Sequence, residues 1–184
     1  MIVTEKIFTK KEWKDIGKTE IMVSPKGLKT ADRTGKTLIL GLGNTILSDD
    51  GVGIYIAREI EKKIHNPVVF IKEASIGGLE LLDFIEGFDR LILIDGIITG
   101  KHKPGTLFKL KPEDLKGGSS MSRHQVAFPE ALMMGKELNM DMPEEVVIYG
   151  VEVKDVWTFG EACTPEVSAN ISLIASKIIR NERL

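Results

Sequence analysis

The chain has 184 residues and a formal net charge of -2, with 42% hydrophobic and 28% charged residues. That length suits one domain of ~100–200 residues with a core of its own, and a balance near zero gives no electrostatic footprint for nucleic acid. The single cysteine, Cys163, allows no internal disulfide, no apolar run reaches the ~20 residues that span a bilayer, and the charged opening MIVTEKIFTKKEWKD lacks the apolar stretch of a signal peptide. The expected setting is a reducing cytoplasm, with neither nucleic acid nor membrane as partner.

The charge is uneven. Residues 1–36 hold nine Lys/Arg and five Asp/Glu, leaving 16 basic and 22 acidic residues in 37–184. The first segment lacks a sustained apolar period and reads as an appended basic arm with a turn near Ser24-Pro25-Lys26-Gly27. A partly ordered terminus packed on the body is the plainer expectation. A docking arm for an acidic partner is the sharper one, and Trp13, Ile2, Ile7 and Phe8 give it some surface to bury. The expected division is therefore an arm, 1–36, and one α/β domain, 37–184.

Thr37–Leu40 (TLIL) is a short apolar run ending in Gly41-Leu42-Gly43-Asn44, the pattern of a buried strand entering a turn. Val52, Ile56, Ile60 and Ile64 recur at helical spacing and predict a helix from about Gly51 to Ile64. Val68–Ile71 (VVFI) predicts a second buried strand. Leu79, Leu82 and Ile85 mark a short helix after Gly77-Gly78. Leu91–Ile94 (LILI) predicts a third strand, ending at Asp95-Gly96. This β-α-β-α-β order implies parallel strands with right-handed crossovers.

Thr106–Leu110 follows a Pro104-Gly105 turn and reads as an edge strand. Gly117–Ser122 is a loop by composition, and Phe128–Leu138 reads as a helix opening at Pro129. Val146–Val153 predicts a further strand. A last helix opens at Thr164-Pro165-Glu166, with Val167, Ile171, Ile174 and Ile178 on its apolar face and Lys177, Arg180 and Arg183 near its end. The expected architecture is α/β: a three-layer sandwich, helices on both faces of a mostly parallel sheet.

In such sheets ligands bind beyond the carboxyl ends of the strands. The loops there carry Asn44, Ser48, Asp49 and Asp50, then Glu73 and Ser75, then Asp95. Helix capping accounts for one of Ser48, Asp49 and Asp50, not for all three. Gly41-Leu42-Gly43 starts like a dinucleotide fingerprint, but Ile46 stands near the expected third glycine and two acids would repel a pyrophosphate. Asp95 at a strand exit either accepts backbone N–H groups in the next turn or serves a site. Of the three histidines, His65 and His102 lie in polar surroundings, and His124 stands beside an apolar helix start. Two carboxylates and one imidazole from separate loops suit a divalent metal such as Zn, Ni, Mn or Co, with coordination positions left open.

The segments GLGNTILSDDGVG, ASIGGLELLDFIEGFDRLILIDGI and SRHQVAFPEAL, followed by CTPEVSANI, resemble in that order the hydrogenase maturation proteases. The likeness runs over about residues 36–180. It implies a compact α/β sandwich with a five-stranded central sheet, and an endopeptidase that removes a C-terminal extension from a nickel-iron hydrogenase large-subunit precursor after nickel insertion. The family's metal ligands fall on Asp50, Asp95 and His124; apart from the resemblance, Asp49 or Glu73, acids of the same loops, are the candidate general base. Nickel would arrive with the precursor, and another divalent metal could substitute. Many members carry Glu where this chain has Asp50, and an Asp-Gly-Gly-Thr-like run where it has Glu73-Ala74-Ser75-Ile76; the second departure bears on which subunit is the substrate. A monomer or weak homo-oligomer is expected. A nickel-binding chaperone that does not cut, and a nucleotide-binding regulator, are the rival readings.

Overall fold

Thr37–Leu42 (β1) and Arg90–Ile97 (β3) are buried along their whole length, as strands covered on both faces must be. They pair in parallel, Thr37 opposite Arg90 and Gly41 opposite Ile94, at the centre of the sheet. The computed structural model describes residues 35–110 and 128–184. The expected arm, apart from its last two residues, and the expected Gly117–Ser122 loop lie outside them, as does His124.

Among the described residues, five strands stand in the order β2-β1-β3-β5-β4. Val69–Ala74 (β2) and Glu145–Glu152 (β5) are parallel to their neighbours, and Leu107–Lys109 (β4) is the antiparallel edge. Alternation splits the strand residues between two cores. Ile39, Ile92, Ile94, Val147, Tyr149 and Val151 face one side, against Val52–Glu61 (α1) and Ile171–Glu182 (α5). Leu38, Leu40, Leu42, Leu91, Leu93 and Ile148 face the other, against Leu82–Ile85 (α2) and Phe128–Glu137 (α3). The three-layer α/β expectation holds.

Three local expectations need correction. The second strand is an edge, half exposed, and begins at Val69, because only β1 covers its flank. The third strand does not end before Asp95; it runs to Ile97, since β5 continues beside it and pairs Gly150 with Asp95. The last helix is two pieces, Pro165–Ser168 (α4) and then α5. Thr164 sits at the expected cap position but makes no side-chain cap bond; its hydroxyl is spent elsewhere.

The chain leaves β1 to one side to form β2, then returns across β1 to form β3. The strand order therefore reverses between β1 and β3, the position where open α/β sheets bind ligands beyond the carboxyl ends of their strands. Two glycines let the chain close up there. Gly43 has φ +138°, and a Cβ on it would lie 1.8 Å from Asp50 O; a Cβ on Gly53 would lie 2.3 Å from Ile94 O and 2.4 Å from Leu42 O. The glycines of the first motif thus serve the seating of α1 on the strand ends.

Candidate functional site

The 3-10 turn Ser48–Gly51 follows β1 and packs on the end of β3, so Asp50 and Asp95 reach the same sheet edge at the reversal point. Asp95 is fully buried, and its Oδ1 accepts the Gly96 N–H at 2.7 Å. It follows Leu93 in the alternation and so shares the α2/α3 side of the sheet. Asp50 is partly exposed. Among the described residues no group of three His, Cys, Asp or Glu side chains stands ready to hold a metal ion; the third expected ligand, His124, lies outside those residues.

Asp49 has a different environment from its neighbour. Its side chain is fully buried. Oδ1 accepts the Thr164 N–H at 2.6 Å, and Oδ2 accepts the Thr164 hydroxyl at 3.1 Å and the N–H groups of Lys154 and Asp155 at 3.2 Å each. Its own N–H donates to Asp155 O at 2.9 Å. Asp49 is thus the knot that ties the β1 loop to the 154–164 loop. Its negative charge also acts on Cys163: burial first, then Asp49, pushes that thiol up to about 12. A thiol so held is a small buried side chain and no nucleophile.

More bonds join the same two loops. Ser48 N–H donates to Gly160 O at 2.9 Å, and Gly160 N–H donates to Ile46 O at 3.1 Å. The Tyr55 hydroxyl lies 2.7 Å from Glu161 O and 3.2 Å from Thr45 O. Ser48 is held at φ 50°, a left-handed conformation that costs a non-glycine residue and persists where surrounding bonds fix it.

Glu73 stands apart. In register it lies opposite Gly41, on the α1 side of the sheet, whereas Asp95 faces the α2/α3 side. Both its oxygens accept from Arg58 of α1, at 2.8 Å each. The hydrogen bond to Glu73 holds the Arg58 guanidinium above its ordinary value. The structure therefore brings Asp50, Asp95 and Asp49 to one edge and commits Glu73 to an ion pair on the opposite face. His65 and His102 are exposed, as expected.

Sequence reasoning passed over Glu152 and the 155–160 loop. Glu152 is buried at the end of β5 and accepts from Thr99 N (2.8 Å), Thr99 Oγ1 (2.5 Å) and Gly100 N (2.9 Å). The available signal was an acid inside the apolar alternation VVIYGVEV, the same signal that drew attention to Asp95. The loop gave no periodic signal at all.

The model of a family described as hydrogenase maturation protease matches residues 54–181. The hydrogenase expression/formation protein HupD of Bradyrhizobium diazoefficiens is 30% identical over 149 residues, covering 79% of this chain and 77% of that one. The hydrogenase 2 maturation protease of Escherichia coli is 29% identical over 119 residues, covering 63% and 72%. Among solved structures, the hydrogenase maturating endopeptidase HybD from Escherichia coli superposes with a TM-score of 0.69 at 27% identity, covering 80% of this chain and 92% of that one. The [NiFe] hydrogenase maturation protease HybD from Thermococcus kodakarensis gives 0.62 at 27% identity, covering 80% and 98%.

Proposed function

The chain belongs to the hydrogenase maturation protease family and is an endopeptidase of hydrogenase precursors, and we propose that it cuts the C-terminal extension from a nickel-iron hydrogenase large-subunit precursor once nickel has been inserted. The observation that carries this reading is the arrival of Asp50 and Asp95, from separate strand ends, at the reversal point between β1 and β3. In the proposal Asp50, Asp95 and His124 grip nickel that the precursor still holds. Their oxygen and nitrogen donors complement thiolate ligands supplied by the precursor. Nickel here belongs to the substrate, and gripping it fixes the scissile segment against the site, so that recognition becomes positioning.

The protein's own groups then divide the work. Asp50, the partly exposed acid, meets the incoming substrate. Asp95, buried beside it, adds a second carboxylate whose orientation is fixed by the Gly96 N–H. Asp49 holds the turn that presents Asp50, and the four hydrogen bonds it accepts leave it a supporting role rather than that of a base. Glu73, tied to Arg58, is likewise support. The reaction takes place in the cytoplasm, where the precursor matures; among the described residues no helix is long and apolar enough to cross a membrane.

The test is incubation of the full chain with hydrogenase large-subunit precursors, with and without nickel, followed by mass measurement of the product. A shortened product from nickel-loaded precursor alone is the expected result. Asp50→Asn and His124→Ala variants that process it at the parent rate would refute the ligand assignment.

A further inference from the structure

Three large apolar side chains are exposed in large part on the two loops that Asp49 ties together. Phe159 is 81% exposed, Trp157 67% and Ile46 49%. The backbones that carry them are joined: Gly160 N–H donates to Ile46 O, Ser48 N–H donates to Gly160 O, and Leu47 and Gly160 form a parallel bridge. Asp50 lies four residues beyond Ile46 and its N–H donates to Leu47 O at 3.0 Å, so the patch adjoins the turn that carries Asp50. An exposed phenylalanine of this degree contributes nothing to the core. Its loop is nonetheless held firmly, since Asp155 Oδ1 accepts the N–H groups of Trp157 (3.2 Å) and Thr158 (3.0 Å). Those bonds hold the Asp155 carboxyl below its ordinary value, so it stays charged at neutral pH.

From this juxtaposition we propose that Ile46, Trp157 and Phe159 are the docking surface for an apolar segment of the precursor next to the scissile bond, flanked by basic residues. The inference rests on the protease reading above. Aromatic side chains on a rigid loop anchor interfaces because they bury much area at little entropic cost. The surroundings select the partner. Asp155 and Glu161 stand on the loop that carries Trp157 and Phe159, and the Lys154 ammonium is engaged 2.7 Å from Glu166. Such a loop repels an anionic lipid surface and favours a basic one.

The test uses the full chain and the nickel-loaded large-subunit precursor of its own host's hydrogenase, measuring KM and kcat for processing, and binding to a precursor whose scissile peptide bond is replaced by a non-cleavable isostere. Phe159→Ala and Trp157→Ala are expected to raise KM about tenfold or more each, with kcat within about twofold and binding weakened to match. Phe159→Leu should restore much of the loss, and Leu173→Ala, an exposed position on α5, should leave both constants as they are. Parent-like KM and binding in both alanine variants would overturn the proposal. So would loss of self-association by sedimentation with processing constants unchanged, which would assign the patch to a second copy. If the parent binds precursor but never cuts it, the protease reading fails, and weakened binding by Phe159→Ala alone upholds the docking surface. If the parent neither binds nor cuts, both fail.

Discussion

The two ends of this sheet bury carboxylates in opposite ways. At the carboxyl end, Asp49 and Glu152 accept from backbone N–H groups and threonine hydroxyls, which are neutral donors. At the amino end, Glu182 is closed in by cations. Arg90 and Lys109 both pair with it, the Lys109 ammonium at 2.7 Å, and the Tyr149 hydroxyl donates to it. Arg90 also reaches Glu145 at 3.0 Å. Neutral donors satisfy a carboxylate's lone pairs and leave its charge in place; cations cancel it. The carboxyl end therefore keeps a negative field, and the amino end is sealed as structure.

This contrast yields outcomes that can break it. The largest concerns the field-bearing end: Asp50→Asn should cut kcat/KM for precursor processing by about a hundredfold or more while the melting temperature stays near the parent's. A large fall in melting temperature would make Asp50 a structural acid instead. At the sealed end the effect is reversed. Glu182→Ala leaves Arg90 with Glu145 alone, and Arg90→Ala leaves Glu182 with Lys109 and Tyr149, so each should cost about 1–3 kcal/mol by denaturant unfolding, with unchanged processing by the folded fraction. Replacing both, as Arg90→Met with Glu182→Leu, should cost less than the two single changes added together, because the two groups share one network.

Asp49→Asn sits between the two ends in its consequences. The substituted amide accepts fewer of the four hydrogen bonds, so stability should fall by about 1–3 kcal/mol, and processing should fall because the turn carrying Asp50 loosens. Processing at the parent rate would separate the tie from the site. A smaller effect follows from pH. Burial alone pushes Glu182 up, but Lys109, the Tyr149 hydroxyl and Arg90 together outweigh it and hold the carboxyl below its ordinary value. A carboxyl lowered in the folded state stabilises the protein fully above its unfolded value of about 4.3, and that contribution is lost as pH falls through the lower folded value. In an acid titration of stability, Glu182→Gln should therefore flatten the fall in that window. The smallest effect is chemical: with its thiol pushed up to about 12, Cys163 should react with thiol reagents at pH 8 only on the timescale of unfolding.

Much of this was legible in the chain itself. TLIL and LILI announce central strands by their unbroken apolar runs, although VVFI, equally apolar, lies at the sheet edge. Asp95 was visible as an acid at the end of such a run, and Asp50 as one at the opening of a helix. Glu73 looked equivalent to them, and the structure shows why it is not. Faces alternate along a strand, and the parallel register puts Glu73 on the α1 side, where Arg58 waits. That register depends on pairing between distant segments and leaves no local trace. The 155–160 loop escaped notice for a related reason: Trp157 and Phe159 acquire meaning only once Gly160 is bonded to Ile46.

The sequence by itself determined the alternation of strands and helices, the burial of β1 and β3, and the presence of acids where those strands end. These follow from short-range patterns of apolar and polar residues, to which each element responds on its own. Tertiary structure decided the strand order, and with it the reversal point that gathers Asp50 and Asp95. It also separated Asp49 from Asp50. Two identical side chains, adjacent in the chain, differ because one is turned toward Lys154, Asp155 and Thr164, more than a hundred residues away, and the other is left partly exposed.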